Sequence, residues 1–333
     1  MSLNSIDLFV KGLTTCSFLT KVMLLMSTGS KKVIFAALIG NALISITKFI
    51  AATLTGSSAM MSEGIHSLVD TGNQVLLLYG LKRAAKPADE SFPFGHGKEV
   101  YFWSFVVAIL IFALGGGISI YEGIQHLLNP LPLKNPHINY IVLSLAMIFE
   151  GAAWYFALQE FRRSKGKWGY IEAVKRAKDP SVFVVLFEDS AAMLGLMVAF
   201  VGVALTQYTG VLYFDGAASV IIGFILLGTA VWLAYETKGL LIGESANQHV
   251  VKGIREILQD HSSIQKVNEI LTMHMGPDFI LANISVNFSN SLTAGELEKT
   301  IASLDRTIKQ EYPLVKRIFI EAEKIKVVEI PAQ

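Results

Sequence analysis

Apolar residues dominate six stretches of the chain, approximately 33–54, 59–81, 100–121, 138–160, 181–206 and 212–235. Each reaches the roughly 20 residues a helix needs to cross a bilayer, so six membrane-spanning helices are predicted. After about residue 240 the pattern changes to that of a water-exposed fold. Helices are expected over about 247–260 and 293–311, with strands near 264–274, 279–288 and 315–323. In the second strand Ala282-Asn283-Ile284-Ser285-Val286-Asn287-Phe288 alternates apolar and polar with period two. Gly276-Pro277-Asp278 supplies a hairpin turn, and Ser291 or Thr293 caps the second helix ahead of Glu296. The order α-β-β-α-β predicts a small sheet with helices on one face, in a segment of about 90 residues that is long enough to fold alone.

The expected fold class is therefore an α-helical membrane protein. A six-transmembrane-helix bundle spans 31–240, and a small cytoplasmic α+β (αββαβ) C-terminal domain spans 241–333. Residues 1–30 fit neither pattern. Their apolar part, about 6–26, is broken by Lys11 and Lys21 and lacks a small-residue cleavage site. An amphipathic segment lying at the membrane interface is expected there rather than a signal peptide.

Composition agrees with a membrane assignment. The 333 residues are 52% hydrophobic and only 17% charged, with a mean hydropathy of +0.50. The net charge of +1 averages two unlike halves and implies no nucleic-acid partner. The single cysteine, Cys16, rules out an internal disulfide framework and any CxxC motif. A metal site here is built from His, Asp and Glu.

The basic residues orient the spans. Lys31 and Lys32 precede the first. Lys82, Arg83, Lys86 and Lys98 lie between the second and third, and Arg162, Arg163, Lys165, Lys167, Lys175, Arg176 and Lys178 between the fourth and fifth. The opposite loops carry only Lys134. By the positive-inside rule both termini and the basic loops are cytoplasmic, which fits a bacterial inner (plasma) membrane.

Candidate chemistry comes from polar residues inside the spans, which are costly unless they face a partner, a cavity or an ion. In the stretch SEGIHSLVDTGN, residues 62–73, His66 and Asp70 stand one helical turn apart on one face. They are half of a divalent-metal site, or a hydrogen-bonded pair that locks helix packing. Glu63 lies near the outer end of the span, where a solvated vestibule residue is at least as good a reading. Lys48 in the first span either snorkels, pairs with a carboxylate on another span, or sits near an ion path; pairing is favoured because a cation repels a metal ion. Glu150, midway along the fourth span, is a proton carrier or a partner for Lys48. Glu188 and Asp189 lie two to three turns into the fifth span, at a depth like that of His66 and Asp70. Neighbouring positions point about 100° apart, so the two acids cannot both face one point; Asp189 is the first choice as ligand. His96, between two glycines, binds metal or occupies a tight turn. Gly115-Gly116-Gly117 in the third span allows close helix approach, and Asp215 marks the outer edge of the sixth.

Together the six spans, the HxxxD pair, the acids of the fifth span and the αββαβ tail resemble the cation diffusion facilitator family. The likeness extends to Thr55-Gly56-Ser57-Ser58-Ala59, His66-Ser67-Leu68-Val69-Asp70 and Pro93-Phe94-Gly95-His96-Gly97-Lys98-Glu99. It covers about residues 30–325, and SEGIHSLVD and EDSAA are similar to the branch of the mitochondrial zinc transporter 9. The resemblance implies a homodimeric, proton-coupled exporter of Zn²⁺ or a related divalent ion, with two site residues from the second span and two from the fifth. His66 and Asp70 match the first pair and Asp189 one member of the second. The remaining position is Val185, so Glu188 or water supplies the fourth ligand. In the tail His261, His274, Glu321 and Glu323 are the available ligands, but the implied role of that domain is dimer contact.

The expected function is accordingly Zn²⁺/H⁺ antiport by alternating access, with Zn²⁺ as transported substrate held by His66, Asp70, Asp189 and Glu188 and no organic cofactor. Fe²⁺, Co²⁺ or Mn²⁺ are the alternative cargoes, because a carboxylate-rich site with one imidazole accepts each of them. A metal-sensing membrane scaffold that does not transport is the second class, favoured by Val185. An enzyme is not expected, since an intramembrane metalloprotease would need a motif such as HExxH, and the sequence has none.

Overall fold

The computed structural model describes residues 31–165, 169–170, 173 and 180–324. The expected interfacial segment 1–30 and most of the basic link 166–179 lie outside the described residues. Among the described residues, six long rods make up the first part of the chain. They are α1 (Lys31–Thr55), α2 (Ser58–Ala84), a composite third rod, α5 (Pro136–Ser164), α6 (Pro180–Thr209) and α7 (Tyr213–Ile242). The third rod comprises α3 (Glu99–Leu110), a π-helical stretch (Ile111–Gly117) and α4 (Ile118–Leu128). It continues well past the expected end near residue 121.

Five of the six rods are long and apolar enough to cross a membrane. The exception is α2, whose run is interrupted by Ser62, Glu63, His66, Ser67 and Asn73, all buried. Its polar groups face the bundle interior, while residues such as Ile46 and Ile50 on α1 and Ile141 and Ile148 on α5 are exposed on the outside. This inside-out polarity is what a bilayer selects.

The start of α2 is fixed from two sides. Gly56 takes φ +73°, a conformation that glycine adopts without a Cβ clash, and turns the chain out of α1. Ser57 then caps α2 by accepting from the Met60 amide. Asp215 of α7 accepts from Ser57 Oγ at 2.5 Å, from the Ser58 amide at 2.5 Å and from the Ala59 amide at 3.4 Å. Its Oδ2 lies 3.6 Å from Nε2 of His126 on α4. The outer-edge acid is thus fully buried and satisfies amides that a helix start leaves orphaned.

The third rod packs against α7 through backbone-close crossings. A Cβ at Gly116 would lie 3.1 Å from the Gly223 carbonyl, and one at Gly123 would lie 2.7 Å from the Val220 amide nitrogen. The close approach expected at the triple glycine is therefore realised, and the crossing continues a turn and a half beyond it.

The remaining residues form α8 (Gln248–Gln259), β1 (Ile264–Gly276), β2 (Phe279–Phe288), α9 (Ala294–Glu311) and β3 (Val315–Ala322). The expected hairpin turn joins β1 to β2, which pair antiparallel. β3 adds to β2 in parallel, with α9 as the crossover such a pair requires. Ile280, Ala282, Ile284, Val286 and Phe288 share a core with Ile254 and Leu258 of α8 and Leu304 and Ile308 of α9, so both helices cover one face. Of the two cap candidates, Thr293 forms the capping box with Glu296. The sheet meets the membrane part at the link before α3. There Gly97 lies against the Met275 and Gly276 backbone, and in the link after α7 the Glu244 carbonyl accepts from the His274 amide.

Candidate metal site

On α2, positions 63, 66 and 70 are spaced i, i+3, i+7, which lines their side chains along one face. His66 is 1% exposed. Its Nδ1 lies 3.3 Å from Oδ1 of Asp70, yet neither ring nitrogen nor Asp70 Oδ1 makes a hydrogen bond among the described residues.

α6 runs antiparallel to α2 and brings its acids to the same level. Glu188 is 4% exposed and accepts from Nδ2 of Asn73, three residues along α2 from Asp70, at 2.6 Å. Asp189 stands beside this group, interacting with Glu188 through charge. Of the two acids, Glu188 is the one that hydrogen-bonds to α2, through Asn73. Val185, one turn earlier on α6, is a partly buried apolar residue packed on the core. Among the described residues no three His, Cys, Asp or Glu side chains are gathered tightly enough to hold an ion. In this conformation the groups meet as pairs.

Beside them lies a buried ion-pair network. Lys48 Nζ donates to Glu63 Oε2 at 3.0 Å, to Glu150 Oε1 at 2.7 Å and to Ser67 Oγ at 2.7 Å. Lys48 is therefore a pairing residue, and Glu150 is its partner. The vestibule reading of Glu63 is overturned, because that residue has no exposure at all. Its position near the end of the span suggested water, but α1 and α6 close over it. Asn73 and Ser67 gave little advance signal, since their partners lie 115 and 19 residues away in the sequence.

Outside the spans, His96 and His261 make local contacts. His96 Nε2 lies 2.9 Å from Asp89 Oδ2, while Asp89 Oδ1 accepts from the Ser91 and Phe92 amides. The His96 contact first, and those amides after it, hold the Asp89 carboxyl below its ordinary range. In the sheet domain Glu323 Oε2 accepts from Ser285 Oγ at 2.9 Å, and His261 Nδ1 accepts from the Ser263 amide.

Residues 34–242 match the family profile described as the cation efflux transmembrane domain. The chain is 34% identical over 274 residues to the mitochondrial proton-coupled zinc antiporter SLC30A9 of Mus musculus, covering 81% of this chain and 48% of that protein. It is 27% identical over 297 residues to metal tolerance protein C4 of Arabidopsis thaliana, covering 89% and 63%. It is 22% identical over 298 residues to the manganese efflux system protein MneP of Bacillus subtilis, covering 87% and 95%. The chain spans about half the length of its mammalian relatives.

Proposed function

The chain belongs to the cation efflux family as a multi-pass membrane protein, and we propose that it exports a divalent metal cation, Zn²⁺ foremost, in exchange for protons. The observation that carries this reading is the His66–Asp70 pair on α2, 3.3 Å apart, with Glu188 of α6 held one turn along α2 by Asn73 and the imidazole making no hydrogen bond among the described residues. A cation entering between the two helices competes with protons for these carboxyls. It also requires His66 neutral, so metal and proton compete for one set of groups. Asp189 joins when the helices draw together, giving the N/O set that Zn²⁺ accepts. Alternating exposure of these groups turns the competition into exchange.

The relatives support the same direction. One is named as a proton-coupled zinc antiporter and another as a manganese efflux protein, so Mn²⁺ is the principal alternative cargo, ahead of Fe²⁺ and Co²⁺. The working unit we propose is a homodimer, with the C-terminal domain contributing contacts. Its membrane is a bacterial plasma membrane by the orientation of basic loops, or a mitochondrial one by the names of the relatives.

The test is metal flux into proteoliposomes under an imposed pH gradient, across Zn²⁺, Mn²⁺, Fe²⁺ and Co²⁺. Asp70→Ala and Asp189→Ala are each expected to lower Zn²⁺ flux at least about tenfold, the loss of one ligand's worth of binding. Intact flux in both variants sinks the assignment. A non-transporting metal sensor is the second reading, favoured by apolar Val185 at the fourth corner; it predicts metal binding with no flux in the wild type.

A further inference from the structure

Glu63 plays no part in the metal site as built so far, yet it is the most deeply enclosed carboxylate on α2. We infer that Glu63 is a second, outer station for the transported divalent cation, one helical turn on the exit side of the His66–Asp70–Glu188 group. This assignment rests on the transport reading of that group.

Three features carry it. Glu63 and Asp70 flank His66 on one face of α2, so the imidazole is within a turn, about 5 Å of rise, of a carboxylate on either side. Neither nitrogen of His66 has a hydrogen-bond partner among the described residues, which leaves the ring free to accompany a cation from one carboxylate to the other. The free oxygen of Glu63 has a direction. Oε2 is held by Lys48, whereas Oε1 is buried, makes no hydrogen bond among the described residues and points at Gly195 of α6, where a Cβ would overlap it. Gly195 lies seven residues beyond Glu188 on α6, with Ala192 between them at helical spacing. The α6 face from the inner group to the free oxygen therefore carries nothing larger than a methyl.

Lys48 makes the outer station a weak one. Its ammonium touches both Glu63 and Glu150, so a cation arriving there meets carboxylates already partly neutralised and is attracted less than at Asp70, Glu188 and Asp189. An exit station has to bind well enough to receive the ion and loosely enough to release it.

The experiment separates binding from turnover. Wild type and Asp70→Ala test the transport reading, through Zn²⁺ affinity by chelator competition and flux in proteoliposomes. Glu63→Gln, Glu63→Asp and the neutral triple variant Lys48→Met/Glu63→Gln/Glu150→Gln test the outer station. With Glu63→Gln, Zn²⁺ affinity is expected to stay within about twofold of wild type while turnover falls at least about tenfold; Glu63→Asp recovers most of the rate. If Glu63 served only as a structural partner of Lys48, removing all three charges would restore turnover, since neutral replacements of a buried ion pair are often tolerated. A station predicts that the triple variant stays slow even though it elutes and melts like wild type. Wild-type turnover in either Glu63→Gln or the triple variant overturns the proposal. Loss of binding in Asp70→Ala together with normal turnover in Glu63→Gln would refute the station and leave the transport reading standing.

Discussion

At the scale of single residues, spacing located the site helix but not every contact. His66 and Asp70 were legible because four residues make a turn, and polar groups inside an apolar run need a reason to be there. Glu188 and Asp189 are adjacent, so spacing alone could not say which turns toward α2; the hydrogen bond from Asn73 goes to Glu188. Asp215 looked like a rim residue because its partners Ser57 and Ser58 lie more than 150 positions away. Asp215→Ala strips α2 of a capping carboxylate and is expected to cost at least about 1–2 kcal/mol, read as a lower melting temperature in detergent. Asp89 gives a pH prediction. Its carboxyl is held below the ordinary range in the folded loop, so its stabilising contribution is present above about pH 3.9 and is lost as pH falls through the lower folded value. Hydrogen exchange at the Ser91 and Phe92 amides should accelerate across that window, and Asp89→Asn should abolish the step.

At the scale of elements, hydropathy revealed six rods and period-two alternation revealed β2, because both signals arise from which side meets lipid, water or core. The π-helical stretch in the third rod was not legible. Shifting a hydrogen bond by one residue changes no side chain, only the register in which Gly116 and Gly123 meet α7. That crossing leaves no room for side chains, so Gly123→Leu forces a side chain into the Val220 backbone. Overpacking of this kind is expected to cost about 1–3 kcal/mol. Gly40→Leu, with nothing within 4 Å of its Cβ, is the matched control and should stay within about 0.5 kcal/mol. Thermal melts followed by circular dichroism compare the two, and equal melting would refute the tight crossing.

At the scale of the whole molecule, the division into a helical bundle and a small sheet was visible from composition alone, but their junction was not. It is a contact of Gly97 with the Met275 and Gly276 backbone, and glycines touching through main chain leave no mark in a hydrophobic pattern. The parallel pairing of β3 was also hidden, since strand direction follows from the α9 crossover rather than from the strand's own residues. The contact ties the site helix to the sheet, because α2 leads through the 85–98 link directly to Gly97.

Lys48 also bears on how the protein is made. A lone lysine near the middle of α1 would cost roughly 2.5–3.5 kcal/mol to place in the bilayer, and α5, with Glu150, emerges from the ribosome some 80 residues later. Glu63 arrives sooner. Only Gly56 and Ser57 separate α1 from α2, so the two helices can enter the membrane as a charge-compensated hairpin rather than one after the other. In a microsomal insertion assay α1 alone should insert poorly and the α1–α2 pair well. Glu63→Gln should erase the benefit of the second helix, which makes the same ion pair an assembly device before it is a functional one.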